Sequence, residues 1–170
     1  MATAMDVANF FLASNPRNSI SNLKLQKLCA YAQALAVTYL GRKIFPENIE
    51  MWELGPVVRE VYNKYKGHDN NPIPQTKLDV RPFSEQERFV LMCVNEHYAR
   101  LYDAWGLCVQ SHRDFPGVRG SNQVLTEEML EQAFRDNHVV AWLRRCDATP
   151  LPDPSEKLLS EEEFWNAVSA

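Results

Sequence analysis

The stretch Ile20 to Gly41, "ISNLKLQKLCAYAQALAVTYLG", limits what this chain can fold into more than any other segment. Leu25, Leu28, Cys29, Ala32, Ala36 and Tyr39 recur at the helical period of about 3.6 residues. Ser21 suits the N-cap, and Ile20 and Leu25 take the two positions of a hydrophobic staple around it. Gly41 supplies a left-handed stop. Lys24 and Lys27 then read as the solvated face of this helix. A helix of this length needs partners, and the rest of the chain offers them.

Thr3 to Ala13 places Val7, Phe10 and Phe11 on one helical face, and "SNPRNS" ends it. "SEQE" at Ser84 to Glu87 is a capping box that opens a helix to about Tyr102, with Val90, Val94, His97 and Leu101 along one side. Asp103 caps a short helix through "AWGLCVQSH", and "RDFPGVRGSNQ" follows as a loop. Thr126 caps another helix, with Leu125 and Leu130 as its staple and glutamates at its positive end. Leu151 to Pro154 reads as a linker. A last helix opens at Ser160, where Ser160 and Glu163 form a box and Leu159 and Phe164 a staple.

Between these helices, "IEMWELGPVVREVY" changes period at Gly55-Pro56. Ile49, Met51 and Glu53 alternate with Glu50, Trp52 and Leu54, as an extended segment does. Pro56 fits the first position of a new helix, where its missing N–H costs nothing, with Val58, Val61, Tyr62 and Tyr65 on the apolar stripe and Gly67 at the end. Residues Gly67 to Pro82 are rich in Asn and Pro, and Lys77 to Val80 could pair with Ile49 to Trp52 as a second short strand. The expected fold is mainly α: one globular helical domain with a short two-stranded β element and a C-terminal helical extension.

Composition sets the function classes. The chain has 170 residues, enough for one core. It shows no apolar run of the ~20 residues that span a bilayer, and its first residues lack a basic segment and a long apolar run, so a cytoplasmic protein is expected. Cys29, Cys93, Cys108 and Cys146 are scattered without paired spacing, which favours buried thiols over a metal site or disulfides. The acids Asp153, Glu156, Glu161, Glu162 and Glu163 against Lys157 give residues 151–170 a net charge of −4, equal to the whole-chain value. A neutral body with an acidic tail disfavours nucleic acid, which needs clustered Lys and Arg.

No zinc-protease, nucleophile-elbow, phosphate-loop or dinucleotide motif is present. His68, His97, His112 and His138 lie far apart in sequence. His97 reads as a core-edge imidazole bonded to a backbone carbonyl. His112 ends a helix, where a cationic ring would be favoured by the dipole, yet it adjoins a loop that could carry function. Trp52 is either a core residue or, if the strands lie at an edge, an anchor for a protein partner.

One ordered set of residues goes further. Leu25-Gln26-Lys27-Leu28, Tyr31-Ala32-Gln33, Gly41, Ile44-Phe45, Trp52, Gly55-Pro56-Val57 and Tyr62 resemble the Panacea domain family, which includes SocA-like and GepA-like phage-associated proteins. The likeness covers Asp6 to Lys66 well. Leu54 replaces the family's usual aromatic, Ser111-His112 and Pro116-Gly117 stand where the family tends to have Thr-His and Pro-Trp, and residues beyond about Asn137 find no counterpart. The resemblance implies residues 1–150 as a Panacea-like helical domain and 151–170 as an acidic extension. It implies a bacterial or phage antitoxin that neutralises a cognate protein toxin by direct binding, with no enzymatic activity and no cofactor or metal. One branch of the family instead delivers its toxin to an AAA+ protease. Trp52, Gly55, Pro56, Tyr62 and His112, with the Pro-rich loop after Gly67, are the expected protein-binding residues; the oligomeric state is open. A contrasting expectation is an enzyme whose site is assembled across the fold around His112, Arg113 and Asp114.

Overall fold

The computed structural model describes residues 1–16 and 19–148, together with the single helical positions 166 and 169. The Leu151–Pro154 linker, the helix expected from Ser160 with its box and staple, and the boundary at residue 150 lie outside the described residues.

Among the described residues seven α-helices and one two-stranded sheet follow in order: α1 Ala4–Ser14, α2 Asn22–Leu40, β1 Glu50–Trp52, β2 Gly55–Val57, α3 Arg59–Tyr65, α4 Glu85–Val94, α5 Ala104–Asp114, α6 Glu127–Phe134 and α7 His138–Ala148. The fold is mainly α with a minimal β element, as the sequence pattern indicates. The helix starts follow their caps. Thr3 and Ser84 form capping boxes with Asp6 and Glu87, and Ser21, Asp103 and Thr126 each accept a backbone N–H from the first turn of their helices. Gly41 ends α2 at φ 72°, where a Cβ would be strained.

The helix α2 is the axis of the domain, and it corrects the one-sided stripe read from sequence. Among its residues only Leu23, Tyr39 and Leu40 escape burial, because α1, α4, α5, α6 and α7 all pack on it. A helix surrounded on all sides has no solvated face. Lys24 and Lys27 are therefore buried rather than solvent-facing, the second at 0% exposure. Lys24 donates to the Ala99 carbonyl at 2.6 Å, and Lys27 to the Pro56 carbonyl at 3.1 Å.

Aromatic packing joins α2 to the later helices. Tyr31 stacks on Tyr98 at 4.0 Å and meets Phe115 and Phe134 edge-on. Its hydroxyl donates to Asp114 at 2.6 Å, and burial, with that bond, raises its pKa. Tyr31→Phe should cost about 1–2 kcal/mol, since it removes the shorter of the two side-chain hydrogen bonds to a half-buried carboxylate and leaves only Gln110. Urea unfolding at neutral pH measures it, and a loss below about 0.3 kcal/mol would mean that water serves Asp114 equally well.

Two local expectations are corrected. Pro56 does not open a helix: it lies in β2, opposite Met51, and α3 begins at Arg59 behind an extended Val58. The register is Glu50 to Val57, Met51 to Pro56 and Trp52 to Gly55, closed by the two-residue turn Glu53-Leu54. Met51 turns its backbone away from β2, donating to the Gln123 carbonyl at 3.0 Å and accepting from the Asn122 N–H at 2.9 Å. Its partner position thus asks for no N–H, and proline fits there without loss.

Lys77 to Val80 is irregular and forms no strand; the second neighbour of β1 is the 122–125 segment instead. The Pro-rich loop is tied across the first two helices, with Ile73 N–H donating to Ile20, Gln75 to Ala13 and Asn15, and Thr76 to Asn9.

Beyond Val94 the helix loosens into a π turn, Asn95–Ala99, which carries Tyr98 inward and leaves Leu101 70% exposed, off the apolar face expected for it. His97 is half-buried against the rings of Trp142 and His138. Burial, then His138, lowers its pKa. Helix α7 carries no expectation from sequence, yet it buries Val139, Val140 and Leu143.

Candidate functional site

The sequence positions Gln26 and Lys27 on the same turn of α2, and both reach toward β2. The Gln26 side-chain oxygen accepts the Val58 N–H at 3.0 Å, while its amide donates to Asn22, which donates in turn to the Tyr62 carbonyl. Lys27 holds the Pro56 carbonyl. One turn and a half later Gln33 accepts from the N–H of Ile44 at 2.8 Å and donates to the Phe45 carbonyl at 2.6 Å. A polar residue in a dry helix costs free energy unless it is bonded, and these three are bonded to the backbone that follows α2. They fasten the hairpin and the loop before it to the central helix.

Gly55 makes the approach possible. Its φ is +101°, and a Cβ there would lie 2.8 Å from Ser111 Oγ and 3.2 Å from Lys27 Cε. The turn carbonyls are also held: Leu54 O accepts the Cys108 thiol at 3.1 Å, and Glu53 O accepts from Arg119 at 2.8 Å.

Between the hairpin and the α2–α3 corner lies a groove of 620 Å³, with Leu23 and Gln26 on one side, Trp52 and Leu54 on the other, and Tyr62 and Lys66 closing it. Lys27 is part of its lining, and Glu53 and Asp69 stand at the rim. Leu54 is 42% exposed. Trp52 is half-buried and edge-on to Tyr62, with ring centres 4.9 Å apart. The Arg59 guanidinium covers its other side at 5.2 Å, held there by two 2.9 Å bonds to Glu50. The same tryptophan borders a second depression of 360 Å³ shared with Gly120 and Asn122, so it is a wall between two hollows. Its Nε1 is buried and has no hydrogen-bond partner among the described residues.

The residues expected to bind a partner are thus partly gathered. Trp52 and Tyr62 face one groove, and Asp69 and Asn70, from the start of the Pro-rich loop, line it too. Gly55 and Pro56 lie behind it, both buried in β2. His112 is half-buried on α5 and lies off the groove lining. Burial holds its pKa below the ordinary range, Arg119 and Lys27 add to the effect, and the Glu53 backbone opposes it. The balance favours the neutral ring over the cation that its helix end suggests.

The three residues of the enzyme reading do not meet around the groove. Arg113 is exposed, Asp114 receives Tyr31 and Gln110, and none of them lines the cavity. Lys27, Gln26 and Leu54 line the groove as well, though none of them is among the residues expected to bind a partner. The signal for the first two was a Gln-Lys pair set between leucines in a helix whose every face carries apolar side chains.

No helix among the described residues is long and apolar enough to cross a membrane. No curated protein and no solved structure matches the chain. A family model does: that of the SocA-like antitoxin, Panacea domain, matches residues 25–114, which run from the first buried leucine of α2 through the hairpin to the aspartate that receives Tyr31. That span is just over half of the chain and contains most of the groove's lining, and on it the chain belongs to the SocA-like antitoxin family of Panacea-domain proteins.

Proposed function

We propose that this protein neutralises a cognate protein toxin by binding it directly, and that the Trp52–Tyr62 groove is the contact. The observation that carries the reading is the groove's place: it is built mostly by the family-matched segment, and its wall is an aromatic pair beside an exposed leucine. Large aromatic side chains in a partly desolvated hollow are the usual anchors of protein interfaces. Gly55 and Pro56 act behind the wall by fixing the hairpin, and His112 supports the turn from α5.

Co-expression with the product of the adjacent gene tests the reading. Relief of growth arrest and co-purification are expected; neither appearing would overturn it. A toxin that persists while inactive reports occlusion, whereas one whose level falls only when an AAA+ protease is present reports delivery. Trp52→Ala should weaken the complex by about 30- to 100-fold, as hot-spot truncations do. Leu54→Glu, at an exposed turn position, should weaken it by tenfold or more while the melting temperature stays within about 2 °C. Calorimetric titration with the purified toxin measures both.

A further inference from the structure

The groove contains a cation with nothing to balance it. Lys27 is completely buried, and the structure gives its ammonium one acceptor, the Pro56 carbonyl at 3.1 Å. An ammonium carries three N–H donors. Among the described residues no carboxylate lies within salt-bridge distance of it. Trp52, which also lines the groove, has a buried indole N–H with no partner among the described residues. A buried ammonium with two spare N–H donors and an unpartnered indole N–H, on residues that line one cavity, call for an acceptor that carries negative charge.

Other features of the molecule carry less. The exposed stripe Leu101, Trp105 and Val109 has nothing near it that says what covers it, and the buried thiols lie in dry packing.

We infer that the floor of the groove is a carboxylate site, in which Lys27 Nζ and the Trp52 indole N–H receive a glutamate side chain from the bound protein. The inference rests on the protein-binding reading above and adds the chemistry of what is bound. The charges around the groove select the kind of segment. At the rim Glu53, paired with Arg119, and Asp69 stand beside Lys66, a mixed set that does not attract a broadly acidic stretch, whereas the floor is cationic. A single acidic side chain with apolar neighbours and basic residues outside them satisfies both. A glutamate is long enough to carry its charge below the apolar walls.

The test uses the full chain, labelled with ¹⁵N, and three synthetic peptides: acetyl-Lys-Leu-Glu-Leu-Lys-amide, its glutamine counterpart as the amide, and the glutamine counterpart with a free C-terminus. The Trp52 indole N–H signal is assigned with Trp52→Phe. The glutamate peptide should shift that signal and bind about tenfold more tightly than the glutamine amide, the usual gain of a charge-assisted hydrogen bond. Lys27→Met should remove the difference.

Equal binding of the two amides, or no shift with either, overturns the site, and the comparison on the wild type needs no variant. Binding of the free-terminus peptide alone overturns the side-chain assignment in favour of a chain end. The two readings fail separately. Rescue from the toxin without glutamate discrimination removes the carboxylate site and leaves neutralisation standing. Discrimination without rescue removes neutralisation and leaves the site.

Discussion

Gly55→Ala should lower stability by about 3–5 kcal/mol and the melting temperature by about 10 °C, followed by circular dichroism. Two costs add at this position. A φ of +101° is essentially closed to residues with a Cβ and costs about 1–3 kcal/mol where it is enforced. The new methyl also meets Ser111 Oγ at 2.8 Å and Lys27 Cε at 3.2 Å. Neither neighbour is free to retreat: Ser111 Oγ donates to the Cys108 carbonyl at 2.7 Å, and Lys27 is tied to Pro56.

A second substitution separates the two costs. Ser111→Ala in the Gly55→Ala background removes the closer clash and leaves the backbone strain, so it should recover about 1 kcal/mol and no more. A Gly55→Ala protein that melts within about 2 °C of the wild type would mean that residue 55 does not hold this conformation.

Lys27→Met is expected to change how stability depends on pH. Burial, slightly opposed by Cys108, lowers the Lys27 pKa from 10.5 to about 8. Below pH 8 the ammonium is charged in both folded and unfolded chains, and the folded state carries the full cost of holding it out of water. Between pH 8 and 10.5 the unfolded lysine still binds a proton that the folded one has released. Stability therefore rises with pH in that window, by about 3 kcal/mol in total, and stays level above it.

Other groups act in the opposite sense. Burial raises the pKa of the Cys29 thiol, and raises that of Cys93 to about 12, so at high pH both ionise more readily in the unfolded chain. They are common to both proteins, and the difference between wild type and variant isolates the lysine. At pH 7 Lys27→Met should be at least as stable as the wild type, because the released charge outweighs one lost hydrogen bond of about 1 kcal/mol. Urea unfolding of both proteins from pH 7 to 10.5 should show the wild type gaining on the variant, and a constant difference would refute the uncompensated cation. A residue kept at a cost to stability is also what a binding group would be.

The parts of this fold that were legible in sequence are those written locally. Ser21, Ser84, Asp103 and Thr126 cap helices because the signal for a cap lies within four residues of it, and Gly41 stops α2 for the same reason. The parts that were not legible depend on what arrives from elsewhere. A stripe of Leu25, Leu28, Ala32 and Ala36 looks the same whether the opposite face is wet or covered by α5 and α6, so Lys27 read as a surface residue.

Pro56 misled because its fixed φ suits a helix start and a strand position equally well, and only Met51 turning toward Gln123 decides between them. Trp52 and Tyr62 were visible as a motif, while the groove they share depends on how Gln26 and Lys27 seat the hairpin. His112 was placed near a loop correctly, but the lowering of its pKa follows from burial and Arg119, which no local pattern records.

The two-stranded ribbon is closed on both sides. Residues 122–125 occupy the outer side of β1, and on the far side of β2 the polar groups of Leu54, Pro56 and Val58 are taken by Cys108, Lys27 and Gln26. It offers no template on which a foreign strand could be added. Any protein docking at this face meets side chains and not a strand edge, and it need bring no strand of its own.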